Sequence, residues 1–379
     1  MGRVSISAEG KAAQAARSRP VRATGWLTGR IRRHAGGCPA AVAAGVLAAL
    51  AAPGAAQAAG PAGLAHVRQD AIPMEQDDAP MVYDAATGNV VLWGEGNQTW
   101  TWTGTSWTRK QPATSPFLSA SAMVYDAATG NVVLFGGLGM SGPTSQTWVW
   151  NGTDWTQEHP ATSPPARSYP SMAYDGATGN VVLFGGSGIG RELHDTWTWN
   201  GSDWVKQVPA ASPSRRFRAA MTYDPAAGNV VLFGGQAGGG QSPKAHSLGD
   251  TWTWNGHTWT KRTPATSPPA RQLASLTFDA ATHNMLLFGG ASRQLGTELG
   301  DTWIWNGHTW AQRSPGASPS ARSGASMTYD AATGNVLLFA GQSKSGPQND
   351  TWAWNGHTWT RLNPPEGRPC MPHGRLHGL

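Results

Sequence analysis

Short apolar, β-prone runs separated by polar turns fill most of this chain, and one unit shows the pattern clearly. Residues 170–175 (PSMAYD) and 180–186 (NVVLFGG) predict two strands joined by the turn 175–180. The aspartate can bond its own downstream backbone, and Gly179 supplies the left-handed residue that a hairpin loop needs. Residues 195–199 (DTWTW) and 204–207 (WVKQ) predict two further strands. Strand-length runs without a helical period indicate four antiparallel strands.

The same unit occurs six times, at intervals typical of a stacked array of one supersecondary unit. The aromatic residue that precedes its first turn recurs in steps of 42, 49, 49, 55 and 51 residues, at Tyr83, Tyr125, Tyr174, Tyr223, Phe278 and Tyr329. The predicted repeats are residues 78–116, 117–167, 168–216, 217–271, 272–322 and 323–362. Four antiparallel strands per repeat fit a propeller blade. We therefore expect an all-β fold of six self-contained blades, with the first and last meeting by side-chain packing.

Each repeat resembles the kelch repeat, the blade of kelch-type and galactose-oxidase-like propellers. A double glycine after an apolar strand, followed by tryptophans, carries the resemblance, as in Gly136, Gly137, Trp150 and Trp155, and again in Gly234, Gly235, Trp254 and Trp259. The resemblance covers about residues 78–362 and implies a six-bladed kelch-type β-propeller with four antiparallel strands per blade. The first repeat departs from the pattern, because WGEG at 93–96 replaces the apolar residue and two glycines. This fold hosts many activities, so the resemblance implies no single function.

Residues 1–59 have the pattern of a secretory signal peptide. Eight Lys and Arg residues precede an apolar run at 38–52, and the following small residues offer a cleavage site after Ala58. The apolar run is shorter than a membrane-spanning helix requires. We therefore predict a secreted protein with no membrane span in the mature chain. Residues 60–77 form the predicted linker, and residues 363–379, rich in Pro and Gly, form the predicted disordered tail.

The charge of the chain changes when this leader is set aside. The full chain has 28 Lys and Arg against 22 Asp and Glu, a net charge of +6. Without residues 1–59 the two numbers become 20 and 21, so the mature chain carries about −1. The basic character belongs to the leader, and we expect no nucleic-acid partner. Of the two cysteines only Cys370 is left, which excludes an internal disulfide.

Strand direction divides the loops of the repeats between two faces. Four antiparallel strands place the first and third turns on one face, and the second loop and the linker to the next repeat on the other. The turns are nearly constant (DAATGN and NGHT), whereas the second loops differ: 138–145, 187–194, 236–249 and 291–300. Divergent loops on a constant scaffold are typical of binding surfaces. We call the second face the variable-loop face and predict that the ligand binds there.

Four arginines on that face are the candidate ligand-binding residues: Arg167, Arg216, Arg271 and Arg322. Each lies seven residues before the Tyr or Phe of its repeat, which predicts a position at the entry of the first strand, around the mouth of a central channel. Gln76 and Leu118 occupy this position in the first two repeats. Kelch propellers carry arginines at similar positions that bind acidic partners in some members. The alternative is that each arginine fixes the preceding linker by donating to backbone carbonyls.

Other residues that could carry chemistry favour structural roles. Eighteen of the 20 tryptophans recur as three per repeat, which favours a core between blades over stacking on sugars. His257, His308 and His357 recur in the NGHT turn, and neighbouring blades would separate them by about 15 Å, too far for one zinc ion. Cys370 lies outside the repeats, which argues against the copper and Tyr–Cys chemistry of galactose oxidase. We predict no metal and no cofactor.

Three functional hypotheses follow from these patterns. The first is a monomeric, non-enzymatic scaffold that binds a protein or a glycan through the variable-loop face. The second is a carbohydrate-active enzyme, an oxidase or a glycosidase, which would need a carboxylate pair from Glu192, Asp195 or Glu298. The third is a structural surface protein with no small ligand. The first is favoured, because nothing in the sequence pairs these carboxylates.

Overall fold

The structure, a computed structural model, describes residues 73, 78–94, 96–239 and 242–362 of the chain. This part is all-β and contains no helix. Over these residues no helical segment has the length and apolar character that crossing a membrane requires. The predicted signal peptide, Gln76, and the predicted tail with Cys370 lie outside the described residues, as does the predicted linker except for residue 73.

Six separate four-stranded antiparallel sheets, one in each predicted repeat, form the described chain, and none closes on itself. The first strands are Met81–Asp84, Ala122–Asp126, Ser171–Asp175, Ala220–Asp224, Ser275–Asp279 and Ser326–Asp330. The second strands are Asn89–Gly94, Asn131–Phe135, Asn180–Phe184, Asn229–Phe233, Asn284–Phe288 and Asn335–Phe339. The third strands are Gln98–Trp102, Thr147–Trp150, Thr196–Trp199, Thr251–Trp254, Thr302–Trp305 and Thr351–Trp354. The fourth strands are Trp107–Arg109, Trp155–Glu158, Trp204–Gln207, Trp259–Arg262, Trp310–Arg313 and Trp359–Leu362.

The first turn of each repeat has the chemistry that its sequence predicts. In the third repeat Asp175 pairs with Asn180 across the turn, and its carboxylate accepts a hydrogen bond from the Ala177 N–H. Gly179 has a φ of 72°, in the left-handed region. His283 occupies the equivalent position in the fifth repeat and adopts the same conformation, with a φ of 54°. This conformation is strained for a residue with a side chain.

The double glycine ends the second strand at Phe184, two residues before the predicted end at Gly186. In the third repeat the strand stops at Phe184, because Gly185 and Gly186 have φ values of 63° and 106°. The Gly185 N–H then donates to the carbonyl of Asp195, and the Gly186 N–H donates to that of Arg216 in the linker to the next repeat. The two glycines therefore turn the chain out of the sheet and join it to the linker.

Short hairpins form the second loops of repeats two to six. Their strand pairs are Leu138–Gly139 with Gly142–Pro143, Ser187–Gly188 with Arg191–Glu192, Gln236–Ala237 with His246–Ser247, Ala291–Ser292 with Thr297–Glu298, and Gln342–Ser343 with Gly346–Pro347. The linker that precedes each repeat pairs with that repeat's hairpin, as Ser168 does with Ser187 and Arg322–Ser323 does with Gln342–Ser343. Linkers and second loops therefore lie side by side, in agreement with one shared face.

Tryptophans fill the space between neighbouring sheets. Trp197, Trp199 and Trp204 of the third repeat are buried against Val133 and Phe135 of the second. Each tryptophan buries about 150–250 Å², which contributes up to about 4–6 kcal/mol at ~25 cal/mol per Å². The sheets consequently pack face to face through large aromatic side chains.

The same contacts also join the last repeat to the first. The indole N–H at the start of every fourth strand donates to the threonine hydroxyl in the third strand of the preceding repeat: Trp155 to Thr99, Trp204 to Thr147, Trp259 to Thr196, Trp310 to Thr251, Trp359 to Thr302 and Trp107 to Thr351. Trp107 also packs on Phe339 of the sixth repeat. In addition to this side-chain packing, the Asp78 N–H donates to the carbonyl of Gly324. The contacts between sheets therefore run in a cycle.

Candidate functional site

The four candidate arginines are buried, and each forms a two-pronged ion pair with an aspartate of the repeat that follows it. Their guanidinium groups contact carboxylate oxygens at 2.5–2.8 Å in the pairs Arg167–Asp195, Arg216–Asp250, Arg271–Asp301 and Arg322–Asp350. Each aspartate also accepts a hydrogen bond from the tryptophan two residues on, for example from Trp197 to Asp195. In each of these repeats one aspartate carboxylate thus binds both the arginine of the linker and a tryptophan of the third strand.

In Arg216 and Arg322 the remaining donors are also occupied by the protein. Nε of Arg216 donates to the Ser214 carbonyl, and Nη1 donates to the Gly234 carbonyl as well as to Asp250. Nη2 donates to the Ser214 hydroxyl and to Asp250, so all five N–H groups are used. Arg322 makes the equivalent five bonds. This geometry matches the linker-fixing alternative and gives no support to direct ligand contact.

The ion pairs set the protonation state of the aspartates. Burial raises the pKa of Asp195, but the hydrogen bonds and positive charge of Arg167, with the bond from Trp197, outweigh it, so the net pKa lies below its ordinary value. The pKa values of Asp250, Asp301 and Asp350 are lowered for the same reasons. These carboxylates are therefore ionised at neutral pH and unsuited to act as general acids.

The first two repeats replace the whole ion pair and not only the arginine. Gln98 and Gln146 stand where the other repeats have aspartate, and each accepts the same indole hydrogen bond, from Trp100 and Trp148. Leu118 stands in place of arginine in the second repeat and is buried. The sequence contained a signal for the Arg–Asp pairing. The two repeats that lack the arginine are also the two in which DTW is replaced by QTW.

The residues at the strand entries lie two positions after the arginines. One residue per repeat adopts a left-handed backbone there, with φ between 51° and 65°: Asp78, Ala120, Tyr169, Arg218, Leu273 and Gly324. All six line a cavity of about 220 Å³ where the first strands converge. The expectation that Arg167 and its equivalents surround this opening therefore needs correction by two residues. Because of the left-handed residue, the arginine side chain contacts the linker, and the residue two positions after it lies at the opening.

Tyr169 and Arg218 form the most distinctive group at this opening, and the sequence reasoning missed both. The Arg218 guanidinium lies 4.2 Å from the centre of the Tyr169 ring and 5.4 Å from that of Phe217, within cation–π range. The backbone N–H of Arg218 also donates to the Tyr169 carbonyl. The sequence did contain a signal for this position. Two residues after the arginine position, each repeat has a different residue, while the neighbouring residues stay similar.

A larger cavity, of about 480 Å³, lies between the first and second repeats, and we call it the seam cavity. Its lining includes Asp78, Trp93, Asn97, Phe117, Leu138 and Tyr169. Only three residues connect the second and third strands in the first repeat, against eleven in the second. The described residues of the first repeat consequently form no hairpin here, and Trp93, Gly94 and Gly96 line one side of the cavity.

The hairpins of repeats three to five are joined to one another on the variable-loop face. The side chain of Glu192 accepts a hydrogen bond from the Gly239 N–H in the next repeat. Gln294 of the fifth repeat donates to the carbonyl of Ser247 in the fourth and accepts from its N–H. These bonds form a continuous wall over three repeats, whereas the seam cavity opens at the first.

The structure shows no arrangement for a metal ion within its described residues, where no three His, Cys, Asp or Glu side chains lie close enough together. His257, His308 and His357 are exposed in their turns. Their backbone N–H groups donate to Asn255, Asn306 and Asn355, respectively. These contacts fit the polar turn role that their recurrence suggested.

Comparison with known proteins places the chain by its fold. No protein-family model and no curated protein sequence matches it. Among solved structures 404 chains match, and one, described as "Structure of YjhT", has a TM-score of 0.58 and 14% sequence identity, covering 77% of this chain and 99% of that chain. At this identity the similarity shows the fold alone. The chain is an all-β protein of propeller-like repeats, a fold that does not define a function.

Proposed function

We propose that this protein is a secreted, six-bladed kelch-type β-propeller that binds a protein or a glycan through its variable-loop face, without catalysis. Six four-stranded sheets in cyclic contact support the blade count, and the recurring double glycine with three tryptophans supports the kelch type. The signal-peptide pattern of residues 1–59 supports export.

Exposed apolar side chains on the variable-loop face carry this proposal. Five of the six large apolar residues that are well exposed in the described chain lie in the linkers and hairpins of this face: Phe117 at 61%, Met140 at 86%, Ile189 at 82%, Val208 at 90% and Leu295 at 60%. Met140, Ile189 and Leu295 occupy the tips of three different hairpins. Apolar side chains that water surrounds on one face favour an interaction surface.

Two of the three carboxylates considered for the enzymatic alternative, Asp195 and Glu192, are engaged within the protein. Asp195 is bound by Arg167 and Trp197, and Glu192 accepts the bond from Gly239. A glycosidase needs two carboxyl groups that face one substrate across a cleft, one of them protonated. The lowered pKa of Asp195 opposes the protonated role. We therefore propose the binding function alone.

The proposal is tested by removing the apolar tips from the purified full chain. We expect the triple variant Met140→Ser, Ile189→Ser, Leu295→Ser to lose binding on arrays of glycans and of secreted and surface proteins. The matched control is His257→Ser, His308→Ser, His357→Ser, which changes three exposed turn residues and should bind as the unchanged protein does. Loss of binding in the histidine variant alone would contradict the proposed face.

A further inference from the structure

The two faces of the repeat array differ in charge. Every first turn begins with an aspartate, and the third turns of repeats two and three add Asp154 and Asp203, while no lysine or arginine occurs in any of these turns. On the variable-loop face the buried Arg–Asp pairs cancel one another. The five hairpins there contain four Lys and Arg residues against two Glu residues. A negatively charged surface would therefore attract this face and repel the opposite one.

The hairpin tips, which are the residues between the two short strands of each hairpin, contain no acidic residue. They are residues 140–141, 189–190, 238–245, 293–296 and 344–345. Glu192 and Glu298 lie in the short strands instead, and the Glu192 side chain accepts a hydrogen bond from the Gly239 N–H. The tips consequently present only apolar, neutral and basic side chains.

Three basic side chains at or beside these tips have their charge directed to water. Arg191, Lys244 and Lys344 are exposed. Within the part of the chain that the structure describes, none of the three forms an ion pair. They differ in this from the buried arginines of the linkers, and an anionic group outside the protein can reach them.

Apolar tips alternate with these basic positions around the face. Met140, Ile189 and Leu295 extend from the tips of repeats two, three and five, and lysines occupy those of repeats four and six. Binding to a lipid surface grows with the apolar area inserted and with the attraction of Lys and Arg to anionic headgroups. A bilayer contacts all five tips at once, whereas a protein partner needs a separate pocket for each apolar tip.

We infer that the variable-loop face docks on an anionic lipid bilayer. The three apolar tips enter the boundary between headgroups and acyl chains, and Arg191, Lys244 and Lys344 contact the lipid phosphates. This inference goes beyond the proposed function, because the bilayer is a partner of its own beside the protein or glycan. The acidic turns of the opposite face then point away from the membrane.

The test mixes the purified full chain with vesicles of phosphatidylcholine, with vesicles that also contain phosphatidylglycerol, or with dextran sulfate as a soluble polyanion. Residues 1–59 are themselves basic and apolar, so the readout must be local. Hydroxyl-radical labelling followed by mass spectrometry reports the exposure of Met140, Ile189 and Leu295. Val205, which is 47% exposed on the fourth strand of the third repeat, is the internal control.

Two variants separate the face from the total charge. The first removes three charges of the variable-loop face: Arg191→Ser, Lys244→Ser and Lys344→Ser. The matched control removes three exposed charges from fourth strands, at the outer edge of the sheets: Arg109→Ser, Lys206→Ser and Lys261→Ser. Thermal unfolding shows that each variant retains its fold.

We expect only the phosphatidylglycerol vesicles to slow labelling of the three apolar tips, by about twofold or more, with Val205 unchanged. The face variant should need about a hundredfold more lipid for half of this protection, and the control variant less than about threefold more.

Equal protection by phosphatidylcholine vesicles, or an equal loss in both variants, overturns the role of the three basic residues. Equal protection by dextran sulfate overturns the lipid as the partner. If the tips stay fully labelled on anionic vesicles while the protein and glycan arrays show binding, the bilayer inference is wrong and the proposed function stands.

Discussion

Repeats one and two differ from repeats three to six in how the linker is attached to the sheet. In the later four, a buried arginine joins the linker carbonyls to an aspartate at the start of the third strand. In the first two, glutamine takes the aspartate's place and still accepts the indole hydrogen bond. The seam cavity lies between these two repeats. The comparison teaches that buried ion pairs fix the linkers of the later repeats, whereas a cavity lies beside the repeats that lack them.

The largest effect should come from breaking one ion pair in the later repeats. Arg271→Leu leaves the Asp301 carboxylate, which is only 17% exposed, without its partner. We expect a loss of about 3 kcal/mol in the free energy of unfolding, measured in urea. Arg271→Leu combined with Asp301→Gln reproduces the pair of the second repeat and should lose less than the single variant. A double variant as unstable as the sum of both single changes would contradict this reading.

A pH dependence should separate the two groups of repeats. The pKa values of Asp195, Asp250, Asp301 and Asp350 are lowered in the folded protein. Such groups stabilise the fold fully above their unfolded-state pKa of about 3.9. That stability is lost as the pH falls through the lower folded-state values.

We therefore expect amide-exchange protection, corrected for intrinsic rates, to fall on acidification below about pH 4 in the third strands of repeats three to six. The third strands that begin near Gln98 and Gln146 serve as internal controls, because glutamine does not titrate. Equal loss of protection in all six repeats would argue against the ion pairs as its cause.

The smallest effect should come from relieving backbone strain beside the seam cavity. Ala120 has a φ of 55°, and Gly324 occupies the equivalent position in the sixth repeat with a φ of 65°. We expect Ala120→Gly to raise the free energy of unfolding by about 0.5–1 kcal/mol, because glycine adopts this conformation without steric cost. Gly324→Ala is the reciprocal change and should lower it, since a Cβ there would lie 2.7 Å from an oxygen of Asp78.

Local patterns predicted the strands well because each strand depends on residues within its own repeat. The strands of the third repeat lie within two residues of their predicted ends, and the difference at Gly185 and Gly186 comes from backbone torsions. The arginines required knowledge of partners 28 to 34 residues away. The seam cavity was less accessible still, because it arises from a missing hairpin and the packing of two repeats. Its visible signal was the short WGEG segment.

The bond from Trp107 to Thr351 makes the contact between the last and first repeats chemically equivalent to the five contacts along the chain. Within the described residues, each four-stranded sheet is also made from one contiguous segment. The position of the break in the covalent backbone is therefore independent of the architecture. We expect circular permutants in which residue 362 is linked to residue 78, and which are opened in another linker, to retain all six indole–hydroxyl bonds. The cyclic order of the repeats is then fixed by the fold, whereas the choice of the first repeat is not.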